Sequence, residues 1–333
     1  MIELADILRR HGPDYQQRHW LMPSQRRAMK DLVACRTAVC GGHLYECDRC
    51  GHQHYSYHSC RNRHCPKCHG QQTERWLEQQ RPRLLACSYY LLTFTLPSPL
   101  RALAYAHQKQ LYSLLLSSAA AALQKLAWDA RYVGGRLAIL AVLHTWTRAL
   151  RYHPHVHLLV SAGGLSADAQ RWMPTKNPAF LVPCFALSKI FAGKFKAGLQ
   201  KLSLLSAVPA SVWRGKWVVH CRHAGSGQKV LEYLGRYVFR IAITNSRIEA
   251  FEDGQVTFRY RNNRTQLIEH LSLSAEEFIG RFLRHVLPKG FVKVRSYGLW
   301  SAQGAAKLEK ARALLALTLP SSSAQAQGPQ QLN

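Results

Sequence analysis

Three histidines occupy alternate positions in the segment Tyr152–Gly164, YHPHVHLLVSAGG. In a strand, His153, His155 and His157 point one way while Val156 and Leu158 face the core. Two imidazoles on adjacent same-face positions can chelate a divalent ion, although a His-x-His pair taken alone is more often structural. The carboxylates narrow the choice. Between Glu78 and Glu232 the only acidic residues are Asp129 and Asp168. A nuclease built on converging carboxylates cannot be assembled from this stretch, so a metal held by these strands must be held mainly by histidine.

A second constellation lies further along. EYLGRYVFR puts Tyr233 and Tyr237 one helical turn apart. Val230, Leu234, Val238 and Ile241 form the apolar stripe of the same helix, and Arg236 and Arg240 flank the phenols. Cations there grip phosphate and favour phenolate over phenol, whose ordinary pKa is about 10. Two aromatics packing at helical spacing is the commoner use of such a pair, but arginine-flanked phenols on a half-exposed helix fit it less well.

Seven of the ten cysteines fall between Cys35 and Cys68. Cys47/Cys50 and Cys65/Cys68 are Cys-x-x-Cys knuckles, each able to aim two thiolates at one point, and together they predict a four-thiolate structural Zn²⁺ site. Cys60, Cys40, His43, His58 and His64 remain; one of them, Cys60 foremost, could replace a ligand, or some could build a second site. Arg61 and Arg63 in SCRNRHCPKCHG point to nucleic-acid contact by the same module.

These residues need elements to hold them. Residues 1–34 alternate basic and apolar positions at helical spacing and predict two short helices broken around Gly12-Pro13. Helix is also expected in GQQTERWLEQQRPRLLA, over roughly 100–128, over about 184–206, from Ser226, and in SAEEFIGRFLRHVL. YYLLTFTLPSP, GRLAILAVLHTW, HVHLLVSAGGL, QVTFRYR and FVKVRSYG read as strands. Strands and helices mix without a βαβ rhythm, which predicts an α+β fold with a mostly antiparallel sheet. The tail PSSSAQAQGPQQLN has a composition that cannot bury enough surface to fold.

The 333-residue chain carries 45 Lys+Arg against 18 Asp+Glu, a formal charge of +27. An excess of this size predicts a polyanionic partner. No apolar stretch reaches about 18 residues without polar interruption, and MIELADILRR has no signal-peptide pattern. The expectation is a cytoplasmic protein rather than a membrane one, with cysteines used for metal rather than disulfides.

The order of these signals is itself informative. An apolar strand (LLTFTLP), then His-hydrophobic-His, then a helix bearing Tyr-x-x-x-Tyr resembles the HUH endonucleases. CRNRHCPKC, HTW, HPHVHLLV, AGGL, YLGRYVFRIAITNSRI and EFIGRFLRHVLPKGFVKVRSYGL resemble the blocks of one branch, the rolling-circle insertion-sequence transposases of family ninety-one, from about Cys35 to Gly298. The resemblance implies an antiparallel HUH sheet flanked by helices, with an N-terminal helical arm (1–34), a zinc-ribbon-like module (35–75), a catalytic domain (76–304) and a helical end with a disordered tail (305–333).

It further implies a bacterial, nucleoid-associated transposase that cleaves and rejoins single-stranded or hairpin DNA at transposon ends, possible as an oligomer. His155 and His157 match the metal pair, and Tyr233 and Tyr237 the nucleophiles that form a 5′-phosphotyrosine. The family ion is Mg²⁺ or Mn²⁺, whereas the ligand type favours a softer one. A third ligand is open among His144, Glu232 and His153. A replication initiator or relaxase would share this core but bring a helicase domain, for which the sequence has no counterpart. A non-enzymatic zinc-ribbon binder would leave the ordered His and Tyr motifs idle. A tyrosine recombinase carries its nucleophile near the C-terminus, whereas nearly a hundred residues follow Tyr237.

Overall fold

The computed structural model describes residues 1–68, 70–178, 180–226, 229, 230, 235, 238 and 240–318. Its centre is an antiparallel sheet of β3 (Ser88–Thr95), β4 (Arg136–Trp146), β5 (Tyr152–Leu165), β7 (Val219–Ser226) and β11 (Val294–Gly298). The order is β11-β4-β5-β3-β7, and the short β6 (Trp172–Pro174) pairs with the end of β5.

Alternation along the three middle strands decides everything that follows. Val156, Leu158 and Val160 of β5 point into one core with Leu92 and Phe94 of β3 and Ile139, Ala141 and Leu143 of β4. That face is covered by α5 (Gln108–Ala127) and α6 (Cys184–Lys201). The opposite face is divided. Tyr89, Ala138, Leu140 and Leu159 lie under Leu308, Ala311 and Leu315 of the helix Ala305–Thr318 and under Val230. The remaining half carries the histidines. At the covered end Gly164 lets β4 and β5 close up, because a Cβ there would lie 2.8 Å from the Arg136 carbonyl oxygen.

A second sheet, β8 (Ile248–Glu252), β9 (Gln255–Arg261) and β10 (Ile268–Ser274), is also antiparallel. Phe258 of this sheet and Phe278 and Phe282 of α8 (Ala275–Leu283) share a core with Leu4, Ile7 and Leu8 of α1 (Leu4–Arg18) and Met29 and Leu32 of α2 (Pro23–Ala34). The buried Cys35 and Cys65 belong to the same core. The architecture is α+β, with antiparallel sheets flanked by helices, as the sequence predicts.

Several local expectations need correction. The first helix is not broken at Gly12-Pro13; it runs through Pro13 and ends at Arg18. Proline forfeits one helical hydrogen bond, but Leu8 and Tyr15 are buried on either side of it and hold the helix to its neighbours. The helix expected over 100–128 divides into α4 (Arg101–Ala106) and α5, because His107 leaves helical geometry (φ −120°, ψ 45°). The helix expected to reach 206 ends at Lys201. Ser226 closes strand β7 rather than starting a helix; among the described residues helix follows at Lys229 and Val230.

Candidate active site and zinc centre

Register creates the first site. His144 of β4 is the cross-strand partner of His155 of β5, and Val142 pairs with His157. The three histidines therefore lie on one face, and His144, His155 and His157 each offer a ligand atom within 4.8 Å of the others. The surroundings set their chemistry. The Nδ1–H of His155 donates to the His153 carbonyl at 2.7 Å, which fixes the tautomer and leaves Nε2 as the ligating nitrogen. Nδ1 of His157 shares a 3.0 Å hydrogen bond with the Thr93 hydroxyl. His144 is buried and stacks on Trp146, ring centroids 4.8 Å apart.

Burial pushes the His155 pKa down to about 4, and the cations of its surroundings, Arg240 among them, act the same way. His157 is likewise held well below its ordinary value, first by burial and then by His155, Arg240 and Arg222. Both imidazoles are thus neutral at physiological pH, the form that ligates. A recess of about 300 Å³ opens over them, lined also by Thr95, Trp146, Arg148, His153 and Arg240. Among the described residues its lining contains no carboxylate, so its electrostatics suit a phosphodiester. Three converging imidazoles fit a divalent ion, with an intrinsic leaning to a softer one than Mg²⁺. His153 lines the recess but accepts a 2.7 Å hydrogen bond from Arg101 at Nδ1 and stands outside the three-histidine cluster.

Tyr233, Tyr237, Arg236 and Glu232 lie outside the described residues. Their neighbours are informative. Val230 is fully buried beside Leu85 and Tyr89. A Cβ on the helical Gly235 would meet Leu77 and Thr73 of α3 (Gly70–Gln80) at 3.0 and 3.3 Å. Arg240 is exposed and reaches the histidine recess.

The second site corrects the expected ligand set. The gathered thiols are Cys35, Cys60, Cys65 and Cys68, all within 4.8 Å of one another. Cys47 and Cys50 do not join them. These two flank the turn of the hairpin β1 (Gly42–Glu46) and β2 (Gln53–Tyr57), and both are exposed. Five residues of strand separate that tip from the base of the hairpin, roughly 17 Å, so a Cys-x-x-Cys spacing cannot by itself say which half-site it meets. The partner of Cys65/Cys68 is instead Cys35, just past α2, together with Cys60, the residue foreseen only as a possible ligand.

Sulfur–sulfur separations of 3.5 Å (Cys35–Cys68 and Cys35–Cys65) and 3.7 Å (Cys60–Cys68) match the edge of a tetrahedron with Zn–S of about 2.3 Å. Hydrogen bonding from Cys65 holds the Cys60 thiol down to about 5, while burial pushes Cys35 up to about 11. Of the two arginines expected to touch DNA from this module, Arg61 is exposed with φ +52°. Arg63 instead donates to the Phe291 carbonyl at 2.6 Å, tying the thiol loop to the segment before β11.

A family model described as "Putative transposase" matches residues 138–307, and one described as "Transposase zinc-binding domain", of the IS91 type, matches residues 7–96. The chain is 39% identical over 345 residues to the "Putative transposase y4qJ" of Sinorhizobium fredii, covering 96% of this chain and 86% of that one. The chain belongs to the IS91 family of transposases. The transposase is also 32% identical over 286 residues to the transposase for insertion sequence element IS801 of Pseudomonas savastanoi pv. phaseolicola, covering 80% of this chain and 68% of that one. No solved structure matches it. The zinc-binding family model and the four gathered thiols support a structural Zn²⁺. Among the described residues no helix is long and apolar enough to cross a membrane.

Proposed function

We propose that the transposase is an HUH single-strand endonuclease and strand transferase that drives rolling-circle transposition through a 5′-phosphotyrosine intermediate. The observation that carries this reading is the convergence of His144, His155 and His157 in a recess that also contains Arg240 and, among the described residues, no carboxylate. That arrangement suits a phosphodiester bond whose cleavage and transfer need one metal and a nucleophile from elsewhere in the chain. A divalent ion, Mg²⁺ or Mn²⁺, bound by these histidines would polarise the scissile phosphate.

The chain's own groups do the rest. Tyr233 and Tyr237, one helical turn apart by sequence, are the nucleophiles: a phenolate oxygen attacks phosphorus in line, the P–O3′ bond breaks, and a 3′-OH leaves while the 5′-phosphate stays esterified to tyrosine. The ester keeps the bond energy, so rejoining by a 3′-OH needs no ATP. The second tyrosine permits a second cleavage while the first strand end is still held. Arg236 and Arg240 hold phosphate and favour phenolate. Arg61, on the zinc-bound loop, adds a further exposed contact to DNA. The substrates are single-stranded or hairpin transposon ends, as the resemblance to the HUH endonucleases implies.

Cleavage of single-stranded transposon-end oligonucleotides tests the reading. His155→Ala and His157→Ala should each abolish metal-dependent cleavage while most oligonucleotide affinity is kept. Full cleavage in EDTA would remove the metal and leave the histidines structural.

A further inference from the structure

A groove of about 720 Å³ opens between α6, the short α7 (Ser211–Arg214) and the first residues of edge strand β7. Phe185, Lys189, Gly193 and Lys196 share one face of α6 at helical spacing. Phe185 is 72% exposed, with the Lys189 ammonium 4.5 Å from its ring centroid. Across the groove Trp213 stacks on the buried Trp217, centroids 5.6 Å apart and planes within 16°, and Lys196 lies 5.5 Å from the Trp213 ring. A Cβ on Gly193 would touch nothing within 4 Å, so the floor stays open.

Charge decides the occupant. From residue 169 to residue 231 the chain has ten lysines and arginines and no aspartate or glutamate. Four of those cations, Lys189, Lys196, Arg214 and Lys216, line this groove. Presented ring faces interleaved with cations match unpaired nucleotides, whose bases stack while their phosphates are neutralised. A duplex keeps its base faces covered and could use only the charges.

The groove lies on the α6 side of the sheet and the histidine recess on the other, and the two meet at the sheet edge. Val218, on the groove's rim, accepts a 3.0 Å hydrogen bond from the Thr95 N–H, and Thr95 lines the histidine recess. Strands β5, β3 and β7 are successive neighbours, so the sheet edge lies roughly 10 Å from the histidine strand. We propose that this groove is a track for the unpaired strand beyond the scissile phosphate, bases stacking on Phe185 and Trp213. This rests on the single-strand reading above.

The test is equilibrium binding of fluorescein-labelled oligothymidylate and of a duplex control to the full chain over a salt series. Wild-type protein that fails to prefer the single strand would overturn the single-strand reading itself. Where that preference holds, Phe185→Ala should weaken oligothymidylate binding about tenfold or more. The double variant Lys189→Glu/Lys196→Glu should also lower the slope of log affinity against log salt by about 1.4. Phe185 is exposed, so thermal melting and zinc content should match wild type. Iodouracil placed in the oligonucleotide should crosslink to Phe185 or Trp213. Unchanged affinity, unchanged slope and crosslinks elsewhere would overturn the track. So would a dimer that Phe185→Ala dissociates without loss of DNA affinity, which would assign the groove to a second copy.

Discussion

His144 and His155 are cross-strand partners in β4 and β5, with ring centroids 5.5 Å apart and planes at 88°. Edge-to-face rings aimed from two strands at one point let a third imidazole, His157, complete the group without distorting the sheet. Among the described residues this is the one cluster of possible metal ligands besides the thiols.

His144 should therefore behave as a ligand and not only as packing. His144→Ala should weaken Mn²⁺ binding at least about tenfold and suppress cleavage, and added imidazole should restore part of both. Calorimetry with the metal alone checks the first effect. Loss of cleavage with metal affinity intact would make His144 a packing residue.

The thiol set makes a selective prediction. Cys35→Ser and Cys60→Ser should each lose stoichiometric zinc and lower the melting temperature, because Cys35 and Cys65 sit inside the core shared with α1, α2 and α8. Cys47→Ser should keep that zinc. Elemental analysis beside a melting curve compares them, and equal zinc loss in Cys47→Ser would return the hairpin tip to the ligand set.

Phenylalanine at the tyrosines keeps ring packing and removes only the nucleophilic oxygen. Tyr233→Phe and Tyr237→Phe should each impair transposition, and the double variant should form no covalent protein–DNA adduct. Mass spectrometry should find a 5′-phosphate on one of these two phenols in the wild type. An adduct that survives the double substitution moves the nucleophile elsewhere.

His285 predicts an acid-sensitive fold. It is 2% exposed, its Nε2–H donates to the Leu150 carbonyl at 3.3 Å, and burial pushes its pKa down to about 4. The unfolded value is about 6.5, so between these values the unfolded chain binds the extra proton. This contribution is complete above about pH 6.5, is lost as pH falls toward about 4, and levels off below. Its ceiling is about 3 kcal/mol. His285→Gln should make the fall of stability over that window shallower by about one proton; identical slopes would acquit His285.

How far the sequence reached follows from which properties are local. Period-two alternation is written into each strand, so His155 and His157 sharing a face opposite Val156 and Leu158 was legible, as were the α+β class and the preference for a polyanionic partner. The cysteine cluster announced a metal in the same way. The third histidine was legible only as a possibility, because His144 reaches the site through the register of β4 on β5, a choice made by packing on both faces of the sheet. The closing of Cys35 and Cys60 onto Cys65 and Cys68 likewise depends on where α2 and the hairpin dock, which spacing between knuckles does not encode. Strand β7 was missed because an edge strand of mixed polarity, VHCRHAGS, gains its identity only from pairing with β3. Sequence determined which chemistries the residues could perform. Tertiary packing decided which of them meet, since contacts between distant segments depend on side-chain fit and register rather than on any local period.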